Sequence, residues 1–576
     1  MHKGKYEYLP ITDLKDMLDK TGKLYSNNIA YQIRKKDNTY EMITHQEVRE
    51  QINALGTALI DMGLKNKRIA VIGENRYEWE IAYLAIVCGT GIVVPFDKSL
   101  PENELKSVVE RSNIEAIIYS KKYEETLKKM KFQGVGNLKH LISMDLENNQ
   151  NGIYSQKELI KKGKKLIQNG DTKFTSAKIN SEEMSIMLFT SGTTAASKIV
   201  ALSHHNICSN LMGIASVLDV DSSDTFLSFL PIHHVFECTV GFLFVLYKGA
   251  KTVFCDGVRH IVENAKEYEI TVMACVPAVY ERIFKIIRKQ LEKQGKLQEI
   301  LENEEKYKDC SMEEKRKVFS EIHDMLGGKI RWMISGAASL DAVIEDSYRK
   351  LGLNLVQGYG LTETSPVVAI ATKENYKLGS IGKTIPNVEA KLVECNEEGI
   401  GELIVKGPNV MLEYFGNPEA TKKVMKNSWF YTGDLAKIDR DGFIFICGRK
   451  KSVIVLKNGK NIFPEEMEHI INKIEGVEES FIYGRQMSED KNDIKIFAKI
   501  VYHPETMKEA YQVNSKQEMK QILKEKVKEI NKTMPIYKAI KGSIFTTEPL
   551  IKTTTNKLKR QANLEQILKE EKNNIE

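Results

Sequence analysis

The chain has 576 residues, of which 42% are hydrophobic and 28% are charged; this is the composition of an ordinary globular protein and excludes a disordered or collagen-like chain. At a typical ~150 residues per domain, the length predicts about four domain-sized units and excludes a single small module. The 84 Lys and Arg residues against 78 Asp and Glu residues leave a net charge of +6, too small over this length to predict nucleic acid or an anionic membrane as a general partner.

The eight cysteines are scattered, and no CxxC pair occurs, which argues against zinc ribbons, redox motifs and a secreted disulfide framework. We therefore expect a reducing, cytoplasmic environment. The first residues lack the apolar core of a signal peptide, so secretion is not expected. The longest membrane-like stretch, residues 81–96, is shorter than the ~20 residues of a span and predicts a buried helix followed by a buried strand. No transmembrane span is predicted; peripheral membrane contact and the oligomeric state stay open.

In chain order, amphipathic helical stretches first alternate with short β-branched runs, as at residues 68–72 and 115–119. The same alternation resumes at Ile186, and it predicts an α/β body. Residues 285–317 are a dense mixture of Lys, Glu and Gln with sparse apolar residues, which predicts solvent-facing helices that project from the body.

After Gly448 the pattern changes to a short hairpin, a helix opened by Pro464, two strands and another helix. This is a compact α+β arrangement. We therefore expect a boundary at residues 448–451 that divides a large α/β body, residues 1–449, from a small domain, residues 450–576.

The first motif whose residues are suited to ligand binding is FTSGTTAASK, which ends in Lys198. Small side chains let backbone N–H groups approach phosphate oxygens, and the lysine adds a positive charge. A Walker loop would need a glycine at Ser197 and a hydroxyl at Ile199, and a helix would follow it. Here a strand is predicted at residues 199–202, so the loop joins two strands. A Walker-type NTPase and a structural Ser/Thr-rich turn stay open as alternatives at this point.

Two further motifs follow predicted buried strands: SGAA after residues 330–334 and QGYGLTETSP after residues 353–356. Small residues at the carboxyl ends of neighbouring strands are where open α/β sheets bind ligands. Tyr359 offers a ring for a base, Thr362 a hydroxyl for phosphate and Glu363 an oxygen ligand for Mg²⁺. Either segment alone is equally consistent with an ordinary turn.

In the fourth motif Asp434 follows a predicted Thr-Gly turn, and its carboxylate suits ribose hydroxyls. Arg449 follows after a predicted hairpin. The fifth, residues 552–560, is a basic tract that is either a solvated tail or the carrier of a lysine for a phosphate; composition favours the tail. No GxGxxG or GxSxG occurs, which gives no support to a nicotinamide enzyme or a serine hydrolase. The histidine pairs 204–205 and 233–234 lack further ligands at metal spacing, which favours capping or pocket lining.

Six motifs occur in the order and spacing of the adenylate-forming superfamily, and the chain resembles most closely the AMP-forming long-chain fatty acid–CoA ligases. The motifs are FTSGTTAASKIVALSH, SGAAS, GYGLTETSP, YTGDLAKIDRDGFIFICGRKK, NGKNIFPEEME and KTTTNKLKR. The resemblance extends to Arg560. It implies a composite N-terminal body of stacked α/β subdomains with a β-rich subdomain, followed by a small mobile α+β C-terminal domain.

The resemblance also implies which residues hold ATP. They are Thr190, Ser191, Gly192, Thr193, Thr194, Lys198, Gly336, Ala337, Ala338, Gly358, Tyr359, Gly360, Thr362, Asp434 and Arg449. Glu363 would bind Mg²⁺, and Lys557 would bridge the substrate carboxylate and the α-phosphate. Lys451 would be the hinge of the small domain. Together with Thr362 these three residues make up the implied catalytic set.

His234 and Phe236 would line the acyl pocket, and Gly459 would belong to the face used in the thioester step. Three positions depart from the usual family residues. They are Ala195 for Gly, Ser197 for Pro and Asn556 for Gly. The polar groups that the chemistry needs are all retained.

The implied reaction joins a fatty acid to CoA through an acyl adenylate, with ATP as substrate and Mg²⁺ as cofactor. The insertion at residues 285–317 resembles that of long-chain members.

Transfer to acyl-carrier protein and a medium-chain or aryl acid stay open, because the adenylation motifs would be the same. A phosphate-loop ATPase or kinase would release ADP instead of AMP. A non-catalytic binding protein would be expected to have lost Glu363 or Lys557, and both are present.

Overall fold

The computed structural model describes residues 4–190, 197–295, 307, 309–456, 460–487, 493–553 and 557–573. Within these residues the strands form five sheets, two of them large and mixed. The helices alternate with the strands. They are Leu14–Leu24, His45–Asp61, Tyr77–Val87, Glu102–Ser112, Glu124–Phe132, Gln156–Gln168, His204–Ala215, Phe244–Tyr247, Ile261–Glu267, Pro277–Lys293, Met312–Val318, Ser320–Met325, Ala342–Lys350, Pro418–Val424, Pro464–Ile471, Pro504–Tyr511, Lys516–Thr533 and Arg560–Asn573.

The first large sheet has eight strands in the described part of the chain. Their spatial order is Glu413–Tyr414, Ile199–Ser203, Met184–Phe189, Gly91–Pro95, Lys67–Ile72, Ala116–Tyr119, His140–Ser143 and Tyr154–Ser155. The strand pairs from Gly91–Pro95 to Tyr154–Ser155 are parallel, and their near-continuous apolar sequences suit a sheet that is covered on both faces. The strands predicted near residues 68 and 115 are confirmed.

The second large sheet has nine strands among the residues described. Their spatial order is Lys383–Thr384, Val367–Ile370, Leu355–Gly360, Trp332–Ser335, Val272–Cys275, Thr225–Ser228, Lys251–Phe254, Ile29–Arg34 and Tyr40–Thr44. Trp332–Ser335 and Leu355–Gly360 are parallel neighbours, so their carboxyl ends meet at one edge of the sheet. This edge is where a ligand is expected.

The largest apolar core contains residues of both large sheets and of the helix Tyr77–Val87. This helix is buried from Trp79 to Val87 and is followed by the strand Gly91–Pro95, as predicted for residues 81–96. Trp79 stacks on Tyr83, and Phe242 packs edge-on against both rings. Residues 242–246 are buried in the same core.

A smaller antiparallel sheet completes the N-terminal body. Its strands are Glu389–Val393, Gly401–Lys406, Trp429–Ile438, Met425–Lys426 and Ile444–Arg449. The last of these pairs with Trp429–Ile438, which places Arg449 directly opposite Asp434.

The C-terminal region, residues 450–576, has its own sheets and its own apolar cores. A hairpin is followed by the helix Pro464–Ile471, whose proline occupies the first turn as predicted. The strands are Ile454–Val455 with Asn461–Ile462, and Val477–Gln486 with Ile494–Tyr502 and Ile540–Thr546. The predicted fold class, a large α/β body with a smaller α+β C-terminal part, is confirmed.

The expectation of projecting helices at residues 285–317 is wrong for its first part. Ile287 and Leu291 lie on the helix Pro277–Lys293 and are buried in the core under the second large sheet, because they share a face with Tyr280 and Phe284. Residues 296–306 and 308 lie outside the described residues. Of the helices described, none is long and apolar enough to cross a membrane.

Candidate active site

A cleft of about 3690 Å³ lies between the N-terminal body and the C-terminal region. It opens at the carboxyl ends of Trp332–Ser335 and Leu355–Gly360, the edge where open α/β sheets bind ligands. The body contributes Tyr359 and Asp434 to its walls, and the C-terminal region contributes Lys557. Residues that are far apart in the sequence therefore meet in one site.

Asp434 sits at a β-bulge in the strand Trp429–Ile438. The register with the neighbouring strand shifts between Glu402 and Ile404, and Gly433 has a φ of +73°, which favours glycine. The sequence predicted a Thr-Gly turn here. The strand instead continues through the bulge, and the Asp434 side chain lines the cleft.

The buried Asp434 carboxylate is held by two donors. Arg449 Nε lies 2.7 Å from Oδ1, and the Tyr359 hydroxyl donates to Oδ2 at 2.5 Å. Burial raises the pKa of Asp434, whereas Arg449, Tyr359 and Lys557 act against this rise. Burial and the charge of Asp434 raise the pKa of Tyr359 well above its ordinary value, so its hydroxyl stays a donor. The structure thus brings three predicted nucleotide residues together.

The segment of Gly336, Ala337 and Ala338 forms a wall of the cleft with its backbone close to the surface. A Cβ atom at Gly336 would lie 3.0 Å from the ring of Phe236, so a larger residue would have to displace that ring. Ala337 has a φ of +67°, a strained conformation for a residue other than glycine. Strain of this kind is common at ligand sites.

Glu363 lies in the 3₁₀ turn Thr362–Thr364, directly after the strand that carries Gly358, Tyr359 and Gly360. A Cβ atom at Gly360 would lie 1.9 Å from the carbonyl oxygen of Pro366, so glycine is required for this close approach. The Tyr414 hydroxyl donates to Glu363 Oε1 at 2.7 Å. All of the predicted residues from Gly358 to Glu363 line the cleft.

Lys198 stands between two antiparallel strands, as the sequence predicted. The Thr190 N–H donates to the Lys198 carbonyl at 2.9 Å and closes the base of the loop. The Lys198 ammonium lies 4.0 Å from the centroid of the Tyr414 ring. Burial lowers the pKa of Lys198, the nearby cations Lys451 and Lys423 lower it further, and Glu363 opposes them. The expected phosphate-binding residues Ser191, Gly192, Thr193 and Thr194 lie outside the described residues.

Lys557 enters the cleft from a tethered segment of the C-terminal region. Its N–H donates to Thr553 Oγ1 at 3.1 Å, and Lys552 and Leu558 form an antiparallel bridge. Arg560 donates to both carboxylate oxygens of Glu468, at 3.0 and 2.5 Å. The described residues of this tract, 552–553 and 557–560, are therefore bound into the fold, and for them the interpretation as a solvated tail is wrong.

The Lys557 ammonium is reached by solvent through the cleft but is surrounded by protein groups. This desolvation lowers its pKa, the charge of Arg449 lowers it further, and Asp434 and Glu363 raise it. A cation is thus held near Asp434 and Arg449, the residues predicted to bind the nucleotide, and near Glu363, the predicted metal ligand.

His234 and Phe236 lie on the cleft wall. Burial, and then the positive charge of Lys557, lowers the pKa of His234 to about 3, so the imidazole is neutral at physiological pH. His233 Nε2 lies 3.6 Å from Asp97 Oδ2 on the same wall. The wall continues with apolar side chains. They are Ile214, Leu218, Val240, Ile334, Val367 and Ile370.

The junction between the two regions is anchored on the body side. Lys450 Nζ lies 2.7 Å from Glu394 and 2.8 Å from Glu402, and its N–H donates to the Gly433 carbonyl. Lys451 follows immediately and lines the cleft. Gly459, expected on the thioester face, lies outside the described residues.

Asp341 joins the two regions across the cleft. Its Oδ2 lies 2.9 Å from His469 Nε2 and 2.7 Å from Lys473 Nζ. Burial alone would raise the pKa of Asp341, but the hydrogen bonds from His469 and Lys473 outweigh it and hold the pKa well below its ordinary value.

The oxygen groups at Glu363 fit Mg²⁺. This cation prefers oxygen ligands and is usually bound by one or two carboxylates, substrate phosphates and water. Glu363 offers such a carboxylate, which Tyr414 already orients through Oε1. The neighbouring cation Lys198 suits the phosphates that would complete the coordination.

Three residues of the site were missed by sequence reasoning: Tyr414, Asp341 and Asp97. Asp341 lies two residues after the SGAAS motif, which was a usable signal. Tyr414 and Asp97 lie outside the six motifs, and nothing in the local sequence distinguishes them from other tyrosines and aspartates.

Solved structures of other proteins share this fold. The solved structure of the anthranilate CoA ligase AuaEII with anthranoyl-AMP aligns over 97% of this chain and 98% of its own, with a TM-score of 0.75 and 21% identity. ATP-bound MatB from Rhodopseudomonas palustris aligns over 96% and 99%, with a TM-score of 0.73 and 22% identity. Identities this low indicate a shared fold.

The sequence comparisons give the family. The model for AMP-binding enzymes matches residues 18–415, more than half of the chain. Fatty acyl-CoA synthetase B of Dictyostelium discoideum is 30% identical over 537 residues, which cover 87% of this chain and 78% of that protein. Long-chain-fatty-acid–CoA ligase 1 of Homo sapiens is 28% identical over 527 residues, 84% of this chain and 73% of that protein. The chain belongs to the AMP-binding enzyme family.

Proposed function

We propose that this AMP-binding enzyme is an acid–thiol ligase that activates a long-chain fatty acid. With ATP it forms an acyl adenylate and releases pyrophosphate, and CoA then takes the acyl group and releases AMP. The observation that carries this proposal is the meeting of Lys557, Asp434 and Glu363 in one cleft.

In the first step a carboxylate oxygen bonds to the α-phosphorus of ATP, and the bond from that phosphorus to pyrophosphate breaks. Two anions must approach each other, so catalysis requires positioning and charge neutralisation. Lys557 supplies a positive charge between the carboxylate and the α-phosphate, and Thr362 supplies a hydroxyl for that phosphate. Mg²⁺ held by Glu363 would neutralise the phosphates that leave.

The nucleotide would be held along the cleft by the residues around it. Asp434 accepts hydrogen bonds from the ribose hydroxyls, with Arg449 beside it, and Tyr359 and the segment 336–338 flank adenine. Lys198 binds the outer phosphates together with Thr190 and the loop that separates them. The lowered pKa of Lys198, caused mainly by burial, favours this anionic partner because a phosphate would restore the stability of its charged form.

For the second step we propose that residues 450–576 form a domain that turns about Lys451 on a body of residues 1–449. Lys450 supports this position, because its ion pairs hold the chain to the body immediately before the hinge. Rotation would withdraw Lys557 and bring the face of Gly459 to the adenylate, where the CoA thiol attacks the acyl carbon and AMP leaves.

The acid is proposed to be a long-chain fatty acid, with His234 and Phe236 near its carboxyl end. The apolar wall beyond these residues and the relatives named as long-chain ligases support this choice. The adenylation residues alone would also suit a medium-chain or aryl acid, and acyl-carrier protein as the acceptor. We place the enzyme in the cytoplasm, with peripheral membrane contact as a route to its substrate.

The test is pyrophosphate release from ATP with purified protein and saturated acids of graded chain length, with CoA or acyl-carrier protein as the acceptor. We expect AMP and pyrophosphate in equal amounts, the highest kcat/KM with long chains, and acyl-CoA as the product. Release of ADP would refute the adenylating mechanism. A preference for aryl acids or for acyl-carrier protein would refute the assigned substrate or acceptor.

A further inference from the structure

Tyr414 contacts both Glu363 and Lys198. It lies in the short strand Glu413–Tyr414, which pairs antiparallel with Ile199–Ser203, and it is 3% exposed. The Phe415 N–H donates to the Ile199 carbonyl at 2.8 Å. Tyr414 is therefore fixed to the strand that directly follows Lys198.

The same short segment also holds the Glu363 turn. The Met411 N–H donates to the Glu363 carbonyl at 2.8 Å, and the Tyr414 hydroxyl donates to Glu363 Oε1 at 2.7 Å. The Met411 backbone and the Tyr414 side chain thus both donate hydrogen bonds to Glu363. A Glu side chain rotates broadly about its last torsion, and a hydrogen bond to one oxygen fixes the carboxylate plane and leaves the other oxygen for a ligand.

The ring of Tyr414 makes the second contact, with the Lys198 ammonium 4.0 Å from its centroid. A cation over an aromatic face is attracted by the ring quadrupole. An acidic residue in this place would neutralise Lys198 and compete with phosphate. The neutral ring holds the ammonium and leaves its charge available.

We propose that Tyr414 is a positioning residue that sets the geometry of the metal–triphosphate site. Its hydroxyl orients the Glu363 carboxylate for Mg²⁺, and its ring places Lys198 beside the phosphates. The hydroxyl is suited to this role because a phenol donates one hydrogen bond, and here that bond goes to Glu363 Oε1. This inference rests on the proposed function, since it assumes that Mg²⁺ and ATP bind in this cleft.

Two variants distinguish the effect of the Tyr414 hydroxyl from that of its ring. Tyr414→Phe removes the hydroxyl and keeps the ring, whereas Tyr414→Leu removes both. Tyr348→Phe is the matched control, because the buried Tyr348 hydroxyl donates to the Tyr280 carbonyl at 2.7 Å in a core away from the cleft.

The readout is equilibrium binding of ATP by titration calorimetry without acid or CoA, at zero and at graded Mg²⁺ concentrations. We expect Tyr414→Phe to raise the Mg²⁺ concentration for half-maximal binding about tenfold, the effect of one hydrogen bond to a charged acceptor. Its metal-free ATP affinity should be unchanged. Tyr414→Leu should also weaken metal-free binding, by about threefold, because Lys198 loses its ring. In turnover, Tyr414→Phe should raise the KM for Mg·ATP more than it lowers kcat.

Thermal unfolding shows that each variant is folded. An unchanged Mg²⁺ requirement in folded Tyr414→Phe overturns the role of the hydroxyl, and so does an equal effect in Tyr348→Phe. A wild-type protein whose ATP binding does not respond to Mg²⁺ overturns the proposed function together with the role of Tyr414. The two failures are thereby distinguished.

Discussion

The contacts of Asp341 with His469 and Lys473 lead to a specific prediction about the proposed motion of the C-terminal region. They connect the body to the helix Pro464–Ile471 and to Lys473, and the proposed rotation would break them. The Asp341 side chain is 9% exposed, whereas those of His469 and Lys473 are 41% and 49% exposed. We expect Asp341→Asn to destabilise this orientation relative to the rotated one.

The size of the expected destabilisation follows from the partial exposure of His469 and Lys473. The ion pair with Lys473 contributes about 0.2–1 kcal/mol, and the hydrogen bond from His469 to the carboxylate contributes about 1 kcal/mol. Together the two contacts stabilise the observed orientation by about 1–2 kcal/mol. This corresponds to a factor of about five to thirty in the equilibrium constant between the observed and the rotated orientation. Asp341 also caps the helix Ala342–Lys350 through the Val343 N–H at 2.7 Å. Asn caps helices equally well, so the substitution spares the helix.

The assay measures the two half-reactions separately. Acid-dependent ATP–pyrophosphate exchange should fall about five- to thirtyfold in Asp341→Asn, whereas CoA-dependent consumption of supplied acyl adenylate should be unchanged or faster. Asp439→Asn is the control, because it loses an ion pair with Lys377 inside the body. Equal losses in both half-reactions, or the same pattern in the control, would refute the reasoning.

Three further predictions concern the charges in and under the cleft. Lys557→Ala should abolish acid-dependent ATP–pyrophosphate exchange and largely spare thioester formation from supplied adenylate, while Lys559→Ala should leave both intact; normal exchange in Lys557→Ala would contradict the assignment. Asp434→Asn should raise the KM for ATP about tenfold or more, because one charged acceptor for the ribose is lost; an unchanged KM in steady-state kinetics would remove Asp434 from the ribose site. Burial raises the pKa of Glu237 from 4.5 to about 8, so the folded protein keeps a proton that the unfolded chain releases, and stability falls as pH rises through this window. Glu237→Gln should therefore be stabilising by about 3 kcal/mol at pH 7 and much less at pH 5 in chemical denaturation; a pH-independent difference would contradict the buried proton.

The sequence predicted those parts of the fold that depend on neighbouring residues. The apolar β-branched run after Lys198 forms a strand, and Ser203 caps the helix that follows by accepting a hydrogen bond from the Asn206 N–H. Both features follow from local periodicity and capping chemistry. The six motifs keep their residue types and order, and the predicted site residues that the structure describes line one cleft.

The errors arose where distant pairing decides the structure. The bulge at Gly433 depends on how a neighbouring strand is shifted in register, and no local pattern gives that shift. The segment that contains Ile287 and Leu291 was expected to project into solvent because charged residues dominate it. Their burial depends on the sheet beneath them. Tyr414 acquires its role only when its strand pairs with the strand that follows Lys198.

The position of Lys557 explains why its region should be mobile. Hydrogen bonds of its own region hold its backbone, through Thr553 and through Arg560 with Glu468. The charges that act on its ammonium come from the body, through Arg449, Asp434 and Glu363. Separation of the two regions would therefore return Lys557 to water without disturbing its local fold. Asp434 and Glu363 already oppose the repulsion from Arg449, and a bound anion would add to their attraction. ATP and the acid should therefore favour closure, and loss of pyrophosphate should weaken it.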